Sequence, residues 1–178
     1  MRVLLYLVSI VTANVVTAAL MPLQVGMFII PAGTLFIGGT FIFRDLVQNK
    51  YGRPKTYGFI FIALVLSALV SFMLGDSLMI VMASALSFAI SETADTEIYT
   101  RLKLPLAWRV FYSGLAGGLL DSVVFVIIGL SPIGAGILPW EAIPFAILGQ
   151  VIAKTMIQLI GALVVNKVYV SRQSQVAA

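Results

Sequence analysis

Runs of about 18 or more residues with almost no charge recur along the whole chain, and a soluble core has no room for that much apolar surface. Of the 178 residues, 61% are hydrophobic and 10% charged, with a mean hydropathy of +1.09, whereas an ordinary soluble domain is about a quarter charged. The expected fold class is all-α, a polytopic bundle of six transmembrane helices whose main partner is the lipid bilayer.

The expected spans are Val3 to Leu20, Gly26 to Gln48, Tyr57 to Leu74, Leu78 to Glu97, Val110 to Leu130 and Ala142 to Tyr169. Turn chemistry separates them at Pro22, Tyr51-Gly52-Arg53-Pro54, Gly75-Asp76, Leu104-Pro105 and from Ser131-Pro132 to Pro139. Pro31 and Pro144 fall early in the second and sixth spans, where a first turn has no amide donor to lose. Residues 1–170 then form one six-helix domain and 171–178 a cytoplasmic tail. The apolar N-terminus reads as the first span rather than as a cleaved signal peptide.

The basic residues check this count. Arg2 precedes span one, Lys50, Arg53 and Lys55 follow span two, Arg101, Lys103 and Arg109 follow span four, and Arg172 follows span six. All fall on one side, while the opposite loops carry Asp76 and Glu141, so the positive-inside rule puts both termini in the cytoplasm. The net charge of +4 belongs to this topology and no nucleic-acid partner is expected. Six spans allow two halves of three, an inverted 3+3 repeat with Asp45 and Asp121 in corresponding spans, although the halves show no sequence echo.

Ionisable groups inside hydrocarbon cost several kcal/mol by most estimates, about 2.5 at the least, and mark substrate or ion paths when they face a bundle interior. Arg44 and Asp45 close span two, Glu92 and Asp95 sit late in span four, Asp121 is central in span five, and Lys154 lies within span six. Helical spacing groups them into stripes: Ser84, Ser87, Ser91 and Asp95; Gln150, Lys154 and Gln158; and Ser113, Gly117 and Asp121. Asn14 adds an amide from span one. Gly114 and Gly118 have the small-xxx-small spacing of close helix contact, and Ser and Gly rows are more often packing surfaces than ligand contacts. Arg44 and Asp45, near a span end, suit an ion pair or topology anchor as well as a functional role, with Arg44, Gly114 and Gly118 read as structural or gating residues. Asp121 and Lys154 lie far from any span end and favour function. Carboxylates beside Lys and Gln suit a ligand that both donates and accepts hydrogen bonds, such as the amidine-like edge and ring carbonyl of a guanine-type base. Phe41, Phe43, Tyr99 and Phe125 are candidates to stack on such a ring.

The runs Phe43-Arg44-Asp45-Leu46-Val47-Gln48-Asn49-Lys50-Tyr51-Gly52-Arg53, Ser91-Glu92-Thr93-Ala94-Asp95-Thr96-Glu97-Ile98-Tyr99, Asp121-Ser122-Val123-Val124-Phe125 and Gly149-Gln150-Val151-Ile152-Ala153-Lys154 resemble the VUT family, the YhhQ-type queuosine precursor transporters. The resemblance implies a multi-pass protein of the cell (inner) membrane that imports 7-deazaguanines such as preQ0, preQ1 or queuine for tRNA modification. By position it implies Asp45, Glu92, Asp95, Asp121, Gln150 and Lys154 around the substrate; Asn14 is added to them from the reading of span one, outside the resemblance. Many relatives carry Glu where this chain has Asn49, which removes a carboxylate there. The family name also extends to vitamin uptake, and the fold resembles the substrate-binding components of energy-coupling-factor importers.

Two other readings remain beside a self-sufficient carrier. A binding subunit energised by partner ATPases fits the lack of a phosphate loop of the Gly-x-x-x-x-Gly-Lys-Ser/Thr kind. An intramembrane enzyme would have neither Cys nor His, hence no catalytic residue of those types and no zinc site, and no motif sets a nucleophile beside its base. The expectation is no catalysis, no cofactor and no metal. A homo-oligomer is compatible with such a bundle.

Overall fold

The computed structural model describes the backbone of residues 1–176 and the side chains of residues 1–168. Six α-helices run through it: α1 (Arg2–Ala19), α2 (Thr34–Tyr51), α3 (Arg53–Met73), α4 (Leu78–Arg101), α5 (Leu106–Phe125) and α6 (Ile143–Val176). Five of them, all but α2, are long and apolar enough to cross a membrane. The exception has a physical cause. α2 carries Arg44, Asp45 and Lys50 within its 18 residues, and it is the helix that touches each of the other five. A helix wrapped by its neighbours has little lipid-facing surface, so its polarity costs less.

The bundle is more apolar outside than inside. Phe72, Leu163 and Met82 are 60%, 62% and 67% exposed, whereas Arg44, Asp45, Glu92 and Asp95 are at 0%. Water would drive the reverse arrangement, so a multi-pass membrane protein is the environment this surface fits. Apolar packing fills the rest of the interior: Tyr6, Ile10, Val47, Ile60 and Phe88 join α1 to α4, while Ile42, Tyr99, Val110 and Val165 join α2, α4, α5 and α6.

The expected second span began at Gly26, and the structure corrects this. Leu23–Val25 (β1) and Phe28–Ile30 (β2) pair antiparallel, with Val25 opposite Phe28. Gly26, at φ +61°, takes the left-handed corner of the two-residue turn, where a Cβ would be strained. Pro31 follows, and α2 starts only at Thr34. The hairpin packs on the start of α6, where Gly149 lies against Phe28 and Ile30. At its end α5 passes into a π-helical turn, Val126–Leu130. α6 continues through Val176, so the expected tail begins as helix; its last residues, 177–178, lie outside the described residues.

The basic residues collect at one end. Arg2 donates to the Leu46 carbonyl at 3.1 Å, Arg53 meets Glu97 at 2.5 Å, and Arg109 donates to the Tyr99 carbonyl at 3.2 Å. Glycines set how closely the helices cross. A Cβ on Gly33 would overlap the Ala13 carbonyl on α1, and one on Gly114 would overlap the Gln158 amide on α6.

Gly33→Ala should lower the thermal unfolding midpoint of the detergent-purified protein, by overpacking of about 1–3 kcal/mol against a backbone atom. Gly39→Ala, with no atom within 4 Å of its Cβ, should leave the midpoint unchanged or raise it. Equal midpoints for the two variants would contradict this account of the α1–α2 crossing.

Candidate functional site

Two polar groups occupy the bundle interior, and they are separate. The first is built around Arg44. Glu92 and Asp95, three residues apart on α4, share the face that meets α2. The guanidinium reaches Glu92 Oε2 through Nε at 3.1 Å, Asp45 Oδ1 through Nη1 at 2.9 Å, and Asp95 through Nη2. Nη1 also donates to Gln48 Oε1 at 2.7 Å and to Thr96 Oγ1 at 3.2 Å. From α5, Ser113 donates to Asp45 Oδ2 at 3.1 Å. One guanidinium thus faces three carboxylates in a space sealed from solvent, which its rigid, many-donor fork suits better than an ammonium would.

Gln48 clamps the same two helices. Its amide nitrogen donates to the Thr96 carbonyl at 3.2 Å and to Thr100 Oγ1 at 2.8 Å. Nearer the basic end, the Arg109 guanidinium lies 4.0 Å from the Tyr99 ring centroid. Ion pairs, amide clamps and a covered aromatic ring therefore fill the interior toward the basic loops.

The second group lines a cavity of about 90 Å³, large beside the roughly 10–15 Å³ that one buried water needs. All six helices contribute to its wall. At the end opposite the basic loops its wall is Thr17, Pro31, Thr34, Asp76 and Ile80; further in lie Ser84, Ser87, Asn14 and Ser67. Its floor includes Ile10, Phe88, Asp121, Gln150 and Lys154.

Lys154 donates to Asp121 Oδ2 at 2.6 Å, Ser122 Oγ at 2.7 Å and Gln150 Oε1 at 3.3 Å. Asp121 is 13% exposed and Lys154 2%. Because Gln150 accepts through its oxygen, its amide nitrogen is left buried with no partner among the described residues. A buried donor without a partner costs about 1–3 kcal/mol, and a ligand in the cavity would meet it. Asn14 donates to Ser67 Oγ at 2.9 Å, which fixes its amide on the wall. A carboxylate, an ammonium and an amide donor on one wall can recognise a small molecule bearing both donors and acceptors.

Of the residues singled out from the sequence, Asn14, Asp121, Gln150 and Lys154 meet at the cavity. Asp45, Glu92 and Asp95 are engaged by Arg44 and lie outside its lining. Gly118 packs on Lys154, Gly117 on Asp95 and Phe41, and Gly114 on Gln158, which itself donates to the Gly38 carbonyl at 2.8 Å. Among the candidate stacking rings, Phe125 lines the cavity; Phe41 and Tyr99 are buried elsewhere, and Phe43 packs against the α1–α4 cluster.

Sequence reading overlooked Ser122, which the fold sets against Lys154; its place one residue after Asp121 was the available signal. This is a Ser beside a Lys, but the ammonium spends its protons on three acceptors and the Ser122 hydroxyl donates to the Gly118 carbonyl at 2.7 Å. As placed, the pair is a hydrogen-bonded strut and lacks the free amine a nucleophilic serine needs as its base. The threonines and serines of the cavity wall, Thr17, Thr34, Ser67 and Ser71, carried no charge to draw attention.

A protein-family model described as "Putative vitamin uptake transporter" matches residues 70–168, more than half of the chain. That stretch holds Glu92, Asp95, Asp121, Gln150 and Lys154. No curated protein and no solved structure matches.

Arg44→Met leaves three carboxylates facing one another in a sealed interior, so the protein should lose about 3–5 kcal/mol of stability. Adding Glu92→Gln and Asp95→Asn to that variant should restore much of the loss in a detergent melting series. A single variant that melts with the unaltered protein would show that Arg44 does not hold the cluster.

Proposed function

Since the chain belongs to the vitamin uptake transporter family, we propose that it is a self-sufficient secondary importer of a 7-deazaguanine such as preQ0, preQ1 or queuine. The observation that carries the reading is the Asp121–Lys154–Gln150 group on a cavity walled by all six helices. Lys154 holds Asp121 Oδ2, which leaves Oδ1 without a hydrogen bond among the described residues. That oxygen accepts from the amino-pyrimidinone edge of the base, and the unpartnered Gln150 amide donates to its carbonyl. Phe125 offers a face to the ring.

The cavity lies at the end opposite the basic loops. With those loops in the cytoplasm, the substrate enters from outside and the Arg44 cluster closes the way in. Transport is alternating access: the Arg44 contacts part while the outer wall closes over the base. Both termini are cytoplasmic, and α2 crosses as the sixth span, shielded from lipid by the other five. The resemblance of four motif runs to queuosine precursor transporters supports the base as cargo. A small cavity with paired donors and acceptors supports it too.

Uptake of labelled preQ0 or preQ1 by a bacterial strain unable to make queuosine should require this protein. Asp121→Asn should cut uptake at low substrate roughly tenfold or more, since a hydrogen bond to a charged group is worth about 1.5–3 kcal/mol. Undiminished uptake by that variant would remove Asp121 from substrate recognition. The purified chain in liposomes should transport without any partner; strict dependence on an added ATPase would make it a binding subunit instead.

A further inference from the structure

We propose that the Arg44 cluster is a proton-binding site that couples this carrier to a proton gradient, with Glu92 as the group that takes up and releases the proton. The inference rests on the reading of the chain as a carrier. It begins with a count of charge. Arg44 supplies one positive charge and Asp45, Glu92 and Asp95 three negative ones, all at 0% exposure. Lys154, the other buried cation among the described residues, is held by Asp121.

The remaining ionisable groups around the cluster do not balance it. Tyr6 on α1 faces Glu92, Tyr99 on α4 faces Asp45, and Asp121 on α5 faces Glu92. Arg109 on α5 is spent on Tyr99. On α3, the Tyr57 hydroxyl and Arg53 engage Glu97 at the basic end. Leaving an ion uncompensated inside a protein costs several kcal/mol even after relaxation, so at least one carboxylate carries a proton.

Hydrogen bonding gives an independent pointer. Glu92 Oε1 and Asp95 Oδ1 are fully buried and receive no ion-pair contact from Arg44, and the Tyr6 hydroxyl, also fully buried, lies against Glu92. A proton on Glu92 would lessen the carboxylate excess that these oxygens face. Glu92 also has the longest contact to the guanidinium of the three. Asp45 has the 2.9 Å contact to Nη1 and the Ser113 hydroxyl, and Asp95 takes Nη2, whereas Glu92 has Nε at 3.1 Å.

Position makes the proton useful. Phe88, on the cavity wall, lies four residues before Glu92 on the same face of α4, about 6 Å along the axis. When Phe88 and Ile10 part, cavity water protonates the Glu92 carboxylate, and Arg44 keeps Asp45 and Asp95. When the cluster opens toward the basic end, Glu92 gives the proton to water there and the guanidinium closes on it again. No other bond changes. With a neutral base such as preQ0, one proton enters with each molecule and each cycle moves one net positive charge inward.

Infrared spectroscopy of the purified native protein tests the site without any substrate. At neutral pH the protein should show a protonated-carboxyl stretching band that shifts to lower frequency in D2O. Glu92→Gln should remove it, and Asp95→Asn, which guards against a misfolded first variant, should retain it. A native protein with no such band, or a band lost in folded Asp95→Asn and kept in Glu92→Gln, overturns the proposal. In a second arm, native protein in liposomes should take up preQ0 faster under an acid-outside gradient and an inside-negative potential. Uptake driven by a sodium gradient and indifferent to pH also overturns it and leaves the carrier intact. Failure to move preQ0 at all, with the infrared band present, counts against the substrate and not against the proton site.

Discussion

A guanidinium carried into the middle of a membrane bundle has to be met by acceptors from more than one helix, and the meeting of Arg44 with Asp45, Glu92 and Asp95 sets the arrangement of the rest. It requires α2 and α4 to be adjacent at one depth, with α5 near enough for Ser113 to reach Asp45. It also requires α2 to be wrapped. The helix with the most charge inside the bundle touches all five others, because any face left to lipid would expose that charge to hydrocarbon. Glycines at Gly33, Gly38, Gly117 and Gly161 then let the neighbouring elements close in, each lying against an atom that a Cβ would crowd.

The separation of the two polar groups has a functional consequence. Sequence spacing alone suggests one central cluster, but the fold divides the charges into a nearly neutral, partly wet pair and a sealed, carboxylate-rich knot. Asp121 and Lys154 pair at the cavity floor, which in the proposed reading lets a polar base bind there without a counter-ion to the pair. The Arg44 knot lies further toward the basic end, where in the proposed reading it closes the way in. A carrier needs one end open and the other shut at any moment, and this structure has a cavity toward one end and ion pairs toward the other.

Much of the fold was legible in the sequence because hydrocarbon imposes a simple rule: an uncharged run of sufficient length is a helix. The helices α1 and α3 follow from that rule directly, and α4, α5 and α6 follow once a few buried charges are allowed in each run. α2 departs from it at Arg44, Asp45 and Lys50, and the alternation of basic loops supports counting it as a span. The β-hairpin was hidden because Val25 and Phe28-Ile29-Ile30 continue an apolar run that looks like the start of a helix, and Gly26 and Pro31 are the sole local signs of another conformation. The candidate site was legible as a set of buried polar residues and illegible as pairings. Helical spacing places Glu92 and Asp95 on one face but does not say that Arg44 rather than Lys154 meets them. Ser122 and Gln158 acquire their partners, Lys154 and Gly38, only from the way α6 crosses α5 and α2.

The central claim is that one polar group is wet and the other sealed, and one face of α4 borders the cavity of the first and carries two carboxylates of the second. The chain has no cysteine, so Ser84→Cys and Ser91→Cys can each be made as its sole thiol, seven residues and about 10 Å apart along the axis. Ser84 lines the cavity, while Ser91 is at 0% exposure beside Glu92. A hydrophilic thiol reagent applied to the native protein in membranes should label the cysteine at 84 readily and the one at 91 far more slowly. Equal labelling of the two positions would contradict the division on which this account stands.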